Sequence, residues 1–163
     1  ENLEEVLYEG YGPGGVAILV ETMTDNRNRT VAEVRHAFSK AGGSLGTDGS
    51  VSYLFKKFGQ IIAKDSDEDK LLDLLISSGI EELESLENGR TLINMEVENL
   101  SAVKEVLDSE TIEIEESELV MNASVNVELD EETSEKVIKL LENLDDLDDV
   151  QNVHSNAEFV DNL

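Results

Sequence analysis

"VAILVETMTDNRNRTVAEVRHAFSKAGG", residues 16–43, sets the architecture of this chain, because a strand pattern passes directly into a helix pattern. The opening "VAILVETMT" is β-branched and apolar and has the usual length of a strand, which predicts a largely buried one. Thr30 and Glu33 match a capping box at a helix N-terminus. Gly42 and Gly43 predict the end of that helix.

The predicted helix has one apolar face, which should pack against the strand. Its apolar residues recur at helical spacing: Val31, Val34, Phe38 and Ala41. Arg35 therefore points away from the core, and Lys40 is expected to do the same. After the helix, "SLGTDGS" predicts a loop, residues 51–56 alternate like a strand, and "GQIIAK" (59–64) predicts a short hairpin partner for it.

At Asp65 the composition turns acidic, and a new unit is predicted to begin there. Ser66 and Asp69 match a second capping box, ahead of a helix that Gly79 closes. "EELESLENGRTLINMEV" predicts a hairpin, because Asn88-Gly89 supplies the positive φ angles of a two-residue turn. With a further helix and strand, residues 65–121 make an αββαβ, ferredoxin-like unit.

The closing residues predict a strand, a helix over "DEETSEKVIKLLENL" and a last strand. Neither the opening βαββ piece nor the closing βαβ piece is long enough to bury a sizeable core by itself. We therefore expect an α+β fold of two lobes. Residues 1–64 and 122–163 form one discontinuous domain, and residues 65–121 are inserted in it.

Charge is distributed unevenly over the 163 residues. The formal net charge is −26, yet residues 26–64 carry seven basic side chains against two acidic ones, a local charge of +5. The remainder of the chain therefore carries −31. Such asymmetry favours one face for an anionic partner. The alternative is that scattered basic residues only offset neighbouring carboxylates.

"TDNRNRT", residues 24–30, is the most informative candidate site. Arg27 and Arg29 precede the predicted helix N-terminus, where free N–H groups and the helix dipole already favour an anion. The alternative is a turn whose arginines pair with nearby carboxylates. Lys56 and Lys57 either extend this basic surface or protect an edge strand from aggregation. The candidate nucleic-acid-binding residues are Arg27, Arg29, Arg35, Lys40, Lys56 and Lys57.

Several other classes of function lack support in the sequence. There is no cysteine, and the two histidines, His36 and His154, do not have metal-ligand spacing, so no metal or other cofactor is predicted. The acidic runs lack the glycine and glutamate positions of an EF-hand. His36 has no recognisable nucleophile or orienting partner, and no enzymatic activity is predicted. No apolar run is long enough to span a membrane, and no export signal is visible at the start.

The glycine-rich "YEGYGPGG", residues 8–15, does not match a nucleotide cradle. It lacks the Lys-Ser/Thr ending of a P-loop, and it precedes a strand, whereas a dinucleotide fingerprint follows one. A shaped turn fits better, because Pro13 fixes one φ angle and the glycines permit the others. That turn would lead from an upstream element into the first strand.

"YEGYGPGGVAILVETMTDNRNRTVAEVRHAFSKAGGSLGTDGSVSYLF", residues 8–55, closely resembles the YebC/PmpR family of bacterial gene-expression regulators. That family has a mitochondrial relative, the translational activator of cytochrome c oxidase. The closing "LDDVQNVHSNAEF" is similar to the C-terminal end of the family. The resemblance spans nearly the whole chain, although the acidic middle matches only in pattern.

The resemblance implies a protein of three domains, a helical N-terminal one and two α+β ones. This sequence begins at Glu1, just before the glycine turn, and lacks the basic helical domain that the resemblance implies, either as part of a longer protein or as a natively short one. Gly10, Tyr11, Gly12, Pro13 and Gly14 would then form the joint to that domain in cis.

Members of this family are described as probable transcriptional regulators that bind DNA, and others as ribosome-associated. The resemblance implies a non-enzymatic regulator whose partner is DNA, with ribosomal RNA and ribosomal proteins as the alternative. It also implies a cytoplasmic protein, or a mitochondrial matrix protein in a eukaryote.

Overall fold

A computed structural model describes residues 2–160 and divides the chain into two compact units. The first unit holds the residues up to 56 and those from 123 onward, and the second holds residues 57–122. Within the described residues, antiparallel strand pairs, one short parallel pair and four α-helices confirm the α+β class. In chain order the elements are β1 (Glu4–Tyr11), β2 (Ala17–Thr24), α1 (Arg27–Lys40), β3 (Ser44–Leu45), β4 (Phe55–Ala63), α2 (Glu68–Leu75), β5 (Ile80–Ser85), β6 (Thr91–Glu96), α3 (Leu100–Ser109), β7 (Ile114–Ala123), β8 (Val127–Glu128), α4 (Glu131–Asp145), β9 (Val150–Ser155) and β10 (Ala157–Glu158).

The first unit is a four-stranded sheet with two helices on one face. The strand order is β3-β1-β2-β9, and β8 and β10 form a small parallel pair. Alternate residues of β2 meet the inward faces of α1 and α4 to form the core, whose fully buried members include Ile18, Val20, Val34, Phe38, Val137, Leu140 and Leu144. Burial of Val34 and Phe38 confirms the predicted face of α1, and Arg35 and Lys40 are exposed as expected.

The glycine-rich stretch is a strand end and a hairpin turn. β1 pairs with β2 along its whole length, from Glu4 opposite Thr24 to Tyr11 opposite Ala17. Gly10 and Tyr11 therefore lie inside a strand, and residues 12–16 turn the chain. The Gly12 N–H donates to the Val16 carbonyl at 2.9 Å. The sequence predicted the turn but not β1, because that strand is acidic and carries few β-branched residues. A joint to a further domain stays a prediction.

Helix α1 ends as predicted, in a left-handed glycine. Gly42 has a φ of +86°, and the next N–H, that of Gly43, reaches back to the Phe38 carbonyl at 2.8 Å. A Cβ at Gly42 would meet no atom within 4 Å, so only its backbone conformation opposes a side chain.

Replacing Gly42 with alanine is therefore expected to lower the free energy of unfolding by about 1 kcal/mol. Asparagine tolerates this conformation better and should cost less. Urea unfolding of both variants measures the difference. Equal stability of wild type and Gly42→Ala would contradict the expected strain.

The second unit is a βαββαβ fold with strand order β5-β6-β4-β7, which is ferredoxin-like. The two short strands predicted over residues 51–64 are wrong. Ser52–Leu54 is a single 3-10 turn, and β4 runs without a break through Gly59. A Cβ on Gly59 would lie 2.8 Å from the Met95 sulfur, so glycine marks close packing there and not a turn. Since β4 pairs with β6, the compact unit begins at 57, whereas the composition change placed its start at 65.

Local sequence signals in the second unit predict the position of the turn between β5 and β6 and place the start of α2 within one residue. Asn88 and Gly89 both have positive φ angles, +62° and +72°, and they lie in the predicted turn between β5 and β6. The connection is longer than the predicted two-residue turn, because the ladder ends at Ser85 opposite Thr91. Helix α2 is capped by Asp67, whose carboxylate accepts from the Asp69 N–H at 3.1 Å, and not by Ser66 as predicted. Helices α2 and α3 cover one face of the sheet, with Ile61, Leu71, Leu75, Ile93, Met95, Val103 and Leu107 fully buried. No helix of residues 2–160 is long and apolar enough to cross a membrane.

Candidate nucleic-acid interface

Helix α1, which follows β2, begins one turn earlier than the capping box predicted. Asn26 is the N-cap, and its side-chain oxygen accepts from the Arg29 N–H at 3.1 Å. Thr24 supports this cap, because its hydroxyl accepts from the Asn26 N–H at 2.9 Å. Arg27 and Arg29 therefore lie within the first turn of α1 and not ahead of it. Thr30, the predicted cap, is buried and follows that turn.

Arg29 is held by carboxylates. Its Nε and Nη2 atoms donate to Asp149 at 2.9–3.2 Å, and Nη2 also donates to Asp25 at 3.0 Å. The Thr30 hydroxyl donates to the same Asp149 at 2.7 Å. The hydrogen bond from this hydroxyl holds the pKa of Asp149 below its ordinary value. Partial burial acts in the opposite direction, and Arg29 lowers the pKa further. Arg29 thus connects the start of α1 to the segment before β9. For this residue, the alternative in which the arginine pairs with nearby carboxylates is correct.

Arg27 and Arg35 remain open to solvent. The nearest carboxylate of Arg27 is Glu4 at 3.8 Å, and the Arg27 side chain is 62% exposed. Such a pair is weak, because both groups stay hydrated. Arg35 lies on the outer side of α1, and no salt bridge of the described residues includes it. The predicted candidates in α1 therefore divide into one structural arginine, Arg29, and three exposed cations that include Lys40.

Lys40 lies in a cleft that the sequence did not predict. It is in the last turn of α1, and with Lys136 and Lys139 of α4 it lines a cleft of about 410 Å³. The other lining residues are Ala41, Gly42 and Asn143. We name this feature the α1–α4 basic cleft, defined by its three lysines. Among residues 2–160, no acidic side chain lines it.

The lysines of the cleft are only weakly neutralised. Lys136 meets Glu132 at 3.9 Å, with both side chains exposed. Across the described part of the chain, no carboxylate forms a salt bridge with Lys40 or Lys139. Three ammonium groups around one concavity raise its positive potential and attract anions. Spacing along α4 was the missed signal, because Lys136, Lys139 and Asn143 share a side next to the buried apolar stripe.

Lys56 and Lys57 lie at the start of β4 and are both exposed. Consecutive strand residues point to opposite faces, so these two side chains do not form one patch. Lys57 belongs to the second compact unit, while the other candidates belong to the first. Of the six predicted residues, only Lys40 is placed in the α1–α4 basic cleft.

The described residues offer few arrangements of side chains suited to catalysis or metal binding. His154 meets Glu21 at 2.7 Å across β9 and β2, but no serine, threonine or lysine in the described part of the chain forms a hydrogen bond with either side chain. His36 is exposed on α1. Within residues 2–160, no group of three histidine, aspartate or glutamate side chains is arranged to hold a metal ion.

Comparison with known proteins gives consistent matches over the chain. The family model described as the TACO1/YebC second and third domain matches residues 3–157. A probable transcriptional regulatory protein from Methylococcus capsulatus is 51% identical over 164 residues, which covers 100% of this chain and 66% of that protein. One from Francisella tularensis is 52% identical over 163 residues, with 99% and 66% covered.

A solved structure is also similar. The crystal structure of a conserved hypothetical protein from Aquifex aeolicus matches with a TM-score of 0.79 at 45% identity, and the match covers 100% of this chain and 68% of that one. The chain thus spans 66% of the length of the curated relatives above.

Proposed function

The chain belongs to the TACO1/YebC family, and we propose that it is a non-enzymatic regulator of gene expression that engages nucleic acid through the first unit. The α1–α4 basic cleft is the observation that carries this proposal. It gathers Lys40, Lys136 and Lys139 around one concavity in a chain of net charge −26. The names of the relatives, probable transcriptional regulatory proteins, support the regulatory role.

Binding in this cleft would be directed at the phosphate backbone. Lysine ammonium groups neutralise phosphates and release counterions without reading bases, so affinity should fall steeply as salt is added. The acidic remainder of the surface repels a polyanion, which restricts the approach to the basic side. Arg27 and Arg35 of α1 belong to the same unit and provide further exposed cations.

A role in transcription, which the names of the relatives state as probable, favours DNA as the partner, and an RNA-directed role in translation is the alternative. One observation favours the alternative. Within residues 2–160, strands separate every pair of consecutive α-helices, so no two α-helices have the short connection of a helix-turn-helix. A small basic cleft without a recognition helix suits a target that is recognised by its shape and backbone, as structured RNA is.

The test compares two double variants that remove the same charge. Lys136→Gln with Lys139→Gln should weaken binding of a labelled nucleic acid about tenfold at low salt and reduce the salt slope by about 2. Lys70→Gln with Lys104→Gln, exposed lysines of the second unit, is the matched control and should change affinity less than about twofold. Fluorescence anisotropy with a DNA duplex and with an RNA hairpin measures both and distinguishes the two targets.

Equal weakening by both double variants would contradict a role for the cleft.

Arg29 is unsuitable for this test, although the sequence singles it out. Its guanidinium holds Asp149 and Asp25, so its removal changes stability together with any binding. Arg27→Gln is the better variant at that end of α1, because Arg27 has a stretched pair with Glu4 and a contact with the Tyr8 hydroxyl, and not a set of short carboxylate bonds like that of Arg29.

A further inference from the structure

The sheet of the second unit has two faces, and its own helices α2 and α3 pack on the face that carries the core. Ile61 and Ile93 point toward α2 and α3 in the core. Side chains alternate along a strand, so the intervening residues of β4 and β6, among them Gln60 and Asn94, lie on the opposite face. Gln60 and Asn94 are direct partners in the register, and their side-chain amides are hydrogen-bonded at 3.2 Å.

A bulge in the edge strand β5 brings two carboxylates to this face. Ile80 pairs with Met95 and Glu82 pairs with Asn94, so Glu81 is an extra residue without a partner in the ladder. A bulge of this kind redirects side chains that would otherwise alternate. Glu81 and Glu82 consequently line one pocket together, with Phe58, Asn94 and Asn122, and its volume is about 270 Å³. We call it the β5 bulge pocket.

The polar groups of the β5 bulge pocket are already ordered. Asn94 donates from its amide nitrogen to Glu82 at 3.2 Å, and Gln60 donates to Asn94 in turn. The amide chain thus fixes the orientation of Glu82 before any ligand arrives. Among residues 2–160, neither Glu81 nor Glu82 forms a salt bridge, and no basic side chain lines the pocket. Both carboxylates therefore lack a salt-bridge partner among these residues, and Glu82 accepts a hydrogen bond from Asn94.

We propose that the β5 bulge pocket receives an arginine side chain from a cationic segment of a partner protein. Ionised carboxylates only accept hydrogen bonds, and the guanidinium fork donates to two of them at once. Phe58 supplies an aromatic ring in the same pocket, on which a guanidinium stacks better than an ammonium. The volume is below that of ordinary cofactor sites and suits one side chain.

The charge of the surrounding unit favours the same partner. Residues 57–122 carry eighteen acidic against five basic side chains, a formal charge of −13. A unit so acidic repels a nucleic acid and attracts a basic protein segment. This inference goes beyond the proposed function, because it concerns a different unit and a ligand of opposite charge. Its test is therefore independent of nucleic-acid binding.

The probes are two labelled peptides, one with three arginines in a Gly/Ser background and one with lysine at the same three positions. The arginine peptide should bind the full chain at least about fivefold more tightly than the lysine peptide. Glu81→Gln with Glu82→Gln should weaken the arginine peptide at least about tenfold. Phe58→Leu keeps an apolar side chain but removes the ring, and should reduce the preference for arginine to the part that the guanidinium fork contributes.

Glu105→Gln with Glu110→Gln is the matched control, since both glutamates are exposed and this double variant changes the net charge equally. It should alter affinity for the arginine peptide less than about twofold. Nuclear magnetic resonance adds the location, because the side-chain amide signals of Asn94 should shift on titration. Equal binding of the two peptides, or equal weakening by the two double variants, would show nonspecific attraction to an acidic surface and overturn the proposal.

Discussion

Replacement of Asp149 with asparagine is expected to lower the free energy of unfolding by about 2 to 3 kcal/mol. Asp149 is the acceptor at the centre of the β2–α1 junction. Its carboxylate accepts from Arg29 at 2.9 Å and from the Thr30 hydroxyl at 2.7 Å, and its side chain is only 13% exposed. An asparagine offers one acceptor oxygen in place of two and turns an N–H group toward one of these donors. The donors then stay partly buried without a full partner.

Asp148→Asn provides the matched control. Asp148 is the exposed neighbour, so its substitution makes the same change of charge without breaking this network. Urea unfolding of the two variants at neutral pH should separate them by nearly the whole expected effect. If Asp148→Asn and Asp149→Asn proved equally stable, the network would contribute nothing beyond general charge, and the interpretation of Arg29 as a structural residue would be wrong.

Replacement of Glu9 with glutamine should have an effect of similar size, about 2 to 3 kcal/mol. Glu9 is 4% exposed, and its carboxylate accepts three backbone N–H groups of the loop before β4, from Gly49 at 2.8 Å, Val51 at 2.9 Å and Ser52 at 2.7 Å. Glutamine must turn its NH₂ group toward at least one of these donors. Glu5→Gln, in an exposed position of the same strand, is the control and should be nearly neutral.

The contribution of Glu9 should also depend on pH. Burial disfavours the charged form, but the three N–H donors outweigh it and hold the pKa of Glu9 below its ordinary value of 4.5. A carboxyl whose pKa is lowered on folding stabilises the protein above the unfolded value, and this stabilisation is lost as pH falls through the folded value. The stability difference between wild type and Glu9→Gln should therefore be constant near neutral pH and shrink below about pH 4.5. A difference that grew on acidification would contradict this sign.

Asp149 and Glu9 show why the carboxylates that stabilise the fold could not be identified from a strongly acidic sequence. The sequence contains 38 acidic residues, and nothing in the spacing of Glu9 or Asp149 distinguishes them from the solvated majority. Each becomes special only because donors from distant segments converge on it. For Asp149, the donors Arg29 and Thr30 are separated from it by more than a hundred residues of sequence.

The sequence by itself determined the elements whose signals are local. Apolar periodicity placed Val34 and Phe38 in the core, Gly42 marked the end of α1, and Asn88-Gly89 marked a hairpin turn. The resemblance of residues 8–55 to a known family agreed with the matched family model. Such features follow from backbone sterics and from side-chain spacing within one element, and both can be read over a few residues.

The tertiary structure alone decided which charges meet. It paired β4 with β6, so that residues 57–63 joined the second unit. It also bound Arg29 to carboxylates while leaving Lys40 beside Lys136 and Lys139, almost a hundred residues away in sequence. Strand pairing and electrostatic contact depend on distance in space. A single sequence records order along the chain, and therefore it could name the cations but not their neighbours.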